Sequence, residues 1–199
     1  MTMRGNALEV WDYLDLALLW LAKSNRNKLK EIEDNKAFYE EFFTENDARI
    51  LASEGDPRRR LRGAILRRVA AANVPDNGLV LDVGCGTGDN LRYIMRPKIE
   101  LHGIEYSENS ARIAKETLGA NADIRIASAT AIPFPDHHFD FAMCIEVLEH
   151  IDEDESVVKE IARVLKPGGK LVLSVPYRHW FPSYFNLIGH IRHYTRQDV

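Results

Sequence analysis

Between residues 79 and 176 the chain alternates between two hydrophobic periods. Short apolar runs of strand length, at 79–83, 99–104, 124–127, 139–145 and 170–176, are separated by stretches whose apolar residues recur every three or four positions. The first run reads as a continuous buried strand except at Asp82. The spacing predicts helices over 90–95, over 108–118 with Ile113, Ala114 and Leu118 on one face, and over 156–165 with Val157, Ile161 and Val164 inward. Ser107 is placed to cap the second of these. Pro167-Gly168-Gly169 stops the third and returns the chain into the last run. Five strands in this order predict an α/β fold built on a right-handed, doubly wound parallel sheet.

Upstream, the pattern is helical. Trp11, Leu14, Leu18 and Leu21 fall on one face of a segment over 7–22, and an aromatic cluster follows at 38–43. A third helix begins at Pro57 and is densely basic, with Leu61, Ile65, Leu66 and Val69 forming an expected core face and its arginines a solvated side. This divides the chain into a helical extension or cap, 1–75, and a sheet domain, 76–199. The face at 7–22 suits either ordinary packing or a lid over a pocket.

Candidate chemistry gathers where the strands end. Gly84, Gly86 and Gly88 strip side chains from the turn after the first strand, so that a ligand can touch backbone. Asp89 and Asn90 then open a helix whose free amides could receive an anionic group. The spacing is G-x-G-x-G with an acid at Asp89, not the G-x-G-x-x-G of a pyrophosphate site, which argues against a nicotinamide-dependent oxidoreductase. Glu105 ends the second strand, 21 positions after Gly84, where a carboxylate can accept from ribose hydroxyls; a solvated surface glutamate is the plainer reading.

The string V-L-D-V-G-C-G-T-G resembles motif I of the class I S-adenosylmethionine (SAM)-dependent methyltransferases. Further likenesses follow in order: 128–136 resembles the motif II region, E-V-L-E-H the corresponding string of small-molecule members, L-K-P-G-G-K-L-V-L motif III, and G-H-I-R-H-Y-T a segment lining the acceptor side. The resemblance covers about residues 76–176. It implies a Rossmann-like domain in which Asp82, Gly84, Cys85, Gly86, Thr87 and Gly88 hold the methionine end of SAM. Glu105 and Tyr106 would hold its ribose, Ser128 and Ala129 the adenine, and Ile145 and Glu146 would flank the adenosine. Many relatives carry an acid where Ser128 stands; a hydroxyl accepts the same hydrogen bond without charge assistance. His150 is the first candidate for a general base, with His190 and His193 behind it, and a histidine satisfied at a helix start is the alternative. No metal is assigned, although Glu146, Glu149 and His150 with His190 or His193 resemble a magnesium or manganese arrangement in some relatives. Family members continue into two more strands, so the sheet is expected to lack them, through truncation or with a neighbouring subunit covering the edge.

Composition narrows the partners. A chain of 199 residues with 45% apolar content suits one substantial core plus an appendage. Its formal net charge of −4 argues against nucleic acid despite the basic helix, leaving an RNA methyltransferase as an alternative. Asp12 and Asp15 interrupt the N-terminal apolar run, so no membrane span is expected. The two cysteines, Cys85 and Cys144, lie at neighbouring strand ends where a disulfide would intrude on the site, which points to the cytoplasm. The expected activity is SAM-dependent methylation of a small molecule. A non-catalytic SAM-binding scaffold or partner module is the rival, and a homodimer through the N-terminal helices or the open sheet edge is compatible with either.

Overall fold

A computed structural model describes residues 57–176 together with His193 and Tyr194. The expectations for the helix over 7–22, the aromatic cluster at 38–43, His190 and the chain end fall outside the described residues. The described helices are α1 (Pro57–Asn73), α2 (Asp89–Ile94), α3 (Glu108–Leu118) and α4 (Asp154–Val164), and the strands are β1 (Leu79–Val83), β2 (Glu100–Glu105), β3 (Ala122–Ile126), β4 (Phe139–Ile145) and β5 (Leu165–Ser174).

The five strands form one sheet in the order β3-β2-β1-β4-β5, every neighbouring pair parallel. The chain therefore steps outward from β1 through β2 to β3, then crosses back to place β4 on the other side of β1. This reversal opens a crevice beyond the carboxyl ends of β1 and β4, the usual ligand position in such sheets.

Alternation along each strand supplies two apolar faces. On one, Val80, Leu101, Ile124, Phe141 and Met143 pack under Leu66 and Ala70 of α1, Leu91 and Ile94 of α2, and Ala111, Ala114 and Leu118 of α3. On the other, Leu81, Val83, Ile104, Ala142 and Cys144 pack against Val157, Ile161 and Val164 of α4. No helix joins β3 to β4. Its place on the second face is taken by Ile132 and Phe134, which are buried in the same cluster as α4. The Oγ of Ser107 accepts from the amide of Ser110, giving the cap expected for α3.

Three expectations are corrected. Helix α4 begins two residues earlier, at Asp154, and ends at Val164, because Leu165 already pairs with Phe139 as the first residue of β5. The Lys166–Gly169 turn is thus an excursion within β5, and pairing resumes at Lys170 opposite Phe141. Helix α1 buries Leu66 and Ala70 but leaves Leu61 64% and Ile65 52% exposed, so its core face lies about a quarter turn from the one expected. Among the described residues β5 is an edge strand.

Candidate functional site

The turn after β1 is made by backbone geometry that side chains would spoil. Gly84 has φ +69°, and a Cβ there would stand 2.5 Å from Val147 Cγ2. Gly86 has φ +52°, and a Cβ there would meet nothing within 4 Å, so its backbone faces open space. The turn is pinned by the amides of Gly84 and Cys85, both donating to the carbonyl of Ile104, at 2.9 and 3.0 Å. Cys85 turns inward: its Sγ lies where a Cβ on Gly103 would come within 2.8 Å. Both cysteines are free and buried.

Glu105, at the end of β2, is held by the backbone around it. Its carboxylate accepts from the amides of Gly86 at 2.8 Å and of Tyr106 and Ser107, each at 2.9 Å. Such bonds orient the carboxylate before any ligand arrives.

Asp82 is in the opposite condition. Its side chain is fully buried, and neither oxygen has a hydrogen-bond partner among the described residues. Burial, reinforced by the Glu105 charge, pushes its carboxyl up to about 8 against the opposing pull of Asn90 and Arg62. A carboxylate kept dry and unsatisfied is poor design for stability and good design for a cationic ligand group.

A cavity of about 420 Å³ runs along the strand tips. Gly84, Gly86, Glu105 and Tyr106 wall one part, Ala127, Ser128, Ala129 and Thr130 a second, and Glu146, Val147, His150, Ile151, Asp152 and Glu153 a third. Of the residues expected from sequence, Gly84, Gly86, Glu105, Tyr106, Ser128, Ala129, Glu146 and His150 are thereby brought together. Asp82, Thr87 and Ile145 lie buried behind that wall, as does Cys85, and Gly88 is the N-cap of α2. His193 does not line the cavity. The adjacent Tyr194 hydroxyl donates to Asp154 at 2.9 Å, which brings this part of the chain to the start of α4.

The second wall is shaped from a distance. Ser128 Oγ lies 2.7 Å from Thr130 Oγ1 and accepts from the Thr130 amide, closing a tight turn. Arg163 of α4 donates to the carbonyls of Ile132 and Phe134, each at 2.9 Å, and pairs with Glu160, which accepts from the Ile132 amide at 2.8 Å. Neither residue carried a motif; both answer unpaired backbone groups of the irregular β3–β4 connection.

At the third wall Glu146 takes φ +56°, an uncommon conformation for a residue with a side chain. Its amide bonds the Ser174 carbonyl and its carboxylate accepts from the Ser174 hydroxyl at 2.7 Å. His150 Nε2 lies 3.9 Å from Glu149 Oε1, beyond hydrogen-bond range. Glu149 is fully enclosed, and burial, with Glu146 adding to it, pushes its carboxyl up to about 8. Among the described residues, no three His, Cys, Asp or Glu side chains gather into a metal-binding group, and His190 of the expected magnesium or manganese arrangement lies outside the described residues.

The expected anion site at the start of α2 is also corrected. That helix has only six residues, and its first-turn Asp89 pairs with Arg59 at 2.7 Å, placing negative charge where an anion would have to sit.

Residues 81–173 match the family model described as a methyltransferase domain. The ubiquinone/menaquinone biosynthesis C-methyltransferase UbiE of Desulfotalea psychrophila is 36% identical over 52% of this chain and 44% of its own length. Among solved structures, YcgJ of Bacillus subtilis superposes with a TM-score of 0.59 at 22% identity, covering 69% of this chain and 64% of that one. The crystal structure of the [4+2]-cyclase SpnF superposes with a TM-score of 0.52 at 32% identity, covering 57% of this chain and 45% of that one. The chain spans from 38% to 56% of the length of the first curated relatives it matches.

Proposed function

We propose that this protein is a class I SAM-dependent methyltransferase that transfers a methyl group from SAM to a small-molecule acceptor, in keeping with the match of residues 81–173 to a methyltransferase domain. The observation that carries the reading is the pair of acids at adjacent strand tips, Asp82 dry and unsatisfied and Glu105 oriented by three amides, on either side of a bare glycine turn. These residues fit the donor: the orphaned Asp82 oxygens suit an ammonium, and the open backbone at Gly86 admits a bulky ligand.

SAM, when bound, supplies a methyl group on a sulfonium, itself an excellent leaving group. The protein's share is alignment, exclusion of water and management of one proton. Asp82 neutralises the ammonium of the donor's amino acid end. Glu105 accepts from the ribose hydroxyls, and the Ser128–Thr130 turn borders the adenine end. His150, on the rim between Val147 and Ile151, takes the proton of the acceptor's nucleophilic atom. Among the described residues no helix is long and apolar enough to cross a membrane. Two buried free thiols suit a reducing compartment, and the cytoplasm is proposed on that ground.

A second reading, that the domain holds SAM without spending its methyl group, is favoured by one observation: the [4+2]-cyclase SpnF shares this fold at 32% identity. Calorimetric titration with S-adenosylhomocysteine tests the donor site. Binding is expected in the wild type and its loss in Asp82→Ala and Glu105→Ala; unchanged affinity in both variants would reject the assignment. Formation of S-adenosylhomocysteine with candidate quinone, phenol or amine acceptors then separates enzyme from binder.

A further inference from the structure

Strands β4 and β5 end side by side, with Ile145 opposite Ser174. The next residue, Glu146, takes φ +56°, and its amide donates to the Ser174 carbonyl at 2.9 Å. The same serine reaches its side chain, since the Ser174 hydroxyl donates to Glu146 Oε1 at 2.7 Å. Residue 146 is therefore fixed through main chain and side chain to one partner on the neighbouring strand. A glycine would make this turn without strain, so the turn by itself does not call for a carboxylate. Oε1 is committed to Ser174, while Oε2 makes no hydrogen bond among the described residues.

Glu146 and His150 stand on the same wall of the cavity. Between them in sequence, Val147 packs on the glycine turn, its Cγ2 lying 2.5 Å from where a Cβ on Gly84 would stand. The start of this wall thus closes on the part of the cleft assigned to the methionine end of the donor, whose sulfur carries the methyl group. A group attacking that methyl passes along the wall that holds both residues. The proton of the attacking atom is assigned to His150, and Glu146 has no part in the donor's assigned contacts. A carboxylate oxygen accepts hydrogen bonds and does not donate them. An acceptor seated against it must donate there or leave the oxygen unpaired and shut from water.

We propose that Ser174 is a positioning residue that aims Glu146 at the methyl acceptor, and that the acceptor carries a second hydrogen-bond donor, a hydroxyl or an amine, besides the atom that is methylated. The inference rests on the methyltransferase reading above and adds to it a class of acceptor. It gives one wall two separate tasks. His150 removes a proton from the attacking atom, and Glu146 holds the other donor group so that the attacking atom meets the methyl in line.

The test measures S-adenosylhomocysteine formation from phenol, catechol, resorcinol and hydroquinone, with S-adenosylhomocysteine affinity titrated in parallel. In the wild type, at least one dihydroxy acceptor should exceed phenol by about tenfold or more in kcat/KM, beyond the factor of about two that a pair of equivalent hydroxyls supplies. Glu146→Gly suits the positive φ and keeps the turn; it should reduce that preference to about twofold and leave S-adenosylhomocysteine affinity within about twofold. Ser174→Ala should raise KM for the preferred acceptor by about fivefold or more, and Ser174→Thr, which keeps the hydroxyl, should restore it. The double variant Ser174→Ala/Glu146→Gly should be no worse than Glu146→Gly alone. Losses that multiply in the double variant overturn the positioning role. Equal wild-type rates with phenol and the three dihydroxy acceptors overturn the acceptor class without any variant. A fall in S-adenosylhomocysteine affinity in Glu146→Gly that matches the fall in rate overturns both, by placing the carboxylate on the donor. Should the wild type bind S-adenosylhomocysteine and methylate none of the four, the acceptor class falls while the donor site stands; should it bind none, the methyltransferase reading itself falls and this inference with it.

Discussion

Asp82 and Glu105 stand at the ends of paired strands in opposite electrostatic conditions, the first sealed from water without a hydrogen-bond partner among the described residues, the second accepting from three backbone amides. The difference is set by where each strand stops. Glu105 is the last residue of β2, so the turn that follows offers it the amides of Tyr106 and Ser107. Asp82 is the penultimate residue of β1 and points into the face covered by α1 and α2, where the neighbouring backbone is already paired within the sheet.

The proton on Asp82 gives a stability signature in the donor-free protein. Burial raises its folded-state pKa to about 8 from an ordinary value of 3.8, so between these limits the folded chain binds the extra proton. Stability from this group is therefore present at low pH and lost as pH rises toward 8. Asp82→Asn should melt higher than the wild type at pH 8.5, by on the order of 5 °C, with the gap shrinking toward pH 5. Glu149 titrates in the same direction but is common to both proteins and cancels in the comparison. Thermal midpoints at the two pH values decide it; a gap independent of pH would show that Asp82 is not protonated in the fold.

Gly84 is placed by a steric and a conformational demand that can be separated. Gly84→Ala puts a Cβ 2.5 Å from Val147 Cγ2 and imposes φ +69° on a residue with a side chain, and is expected to cost roughly 2–4 kcal/mol. Adding Val147→Ala removes the clash and leaves the backbone strain, so the double variant should recover about half of the loss relative to Val147→Ala alone. Denaturant melts of the four proteins form the cycle, and strict additivity would mean that the two side chains do not meet.

Much of this was legible in the residues themselves. The limits of β1, β4 and α3 fall where periodicity and the Ser107 cap place them, and the two strand-end acids stand out because each interrupts or ends an apolar run. The side of α1 that packs inward was not legible: in a helix crowded with arginines, nothing local says which ones turn in, and the answer depends on how the helix docks through the Arg59–Asp89 pair and the close approach of Gly63 to Tyr93. The Leu61 and Ile65 face was misplaced for the same reason, since either side of α1 presents apolar residues at helical spacing.

Arg163 and Glu160 give a prediction for a pair far from any motif. They hold the carbonyls of Ile132 and Phe134 and the amide of Ile132, and so fix the segment that carries Ser128 and Thr130 along the cavity. Arg163→Met should destabilise the domain by roughly 1–3 kcal/mol and weaken S-adenosylhomocysteine several-fold. 5′-Methylthioadenosine should weaken by the same factor, because the disturbance is at the part of the cavity assigned to the adenine, which both ligands share. Isothermal titration with both ligands reads this directly; loss confined to S-adenosylhomocysteine would place the effect elsewhere.

The role proposed for His150 confines it to the chemical step. It lines the cavity between Val147 and Ile151, whereas the groups assigned to the donor are Asp82, the glycine turn and Glu105 on β1 and β2. Removing it should leave the donor's contacts in place and take away the acceptor for one proton. For an acceptor that must be deprotonated, His150→Ala is expected to lower kcat by about 10²-fold or more with the S-adenosylhomocysteine Kd within twofold. The loss should shrink as the acceptor's own pKa falls below the assay pH, because an acceptor already ionised needs no base. Rates for a series of phenols of graded acidity supply that comparison. A His150→Ala defect of the same size across the whole series would assign the residue to positioning the acceptor rather than to proton transfer.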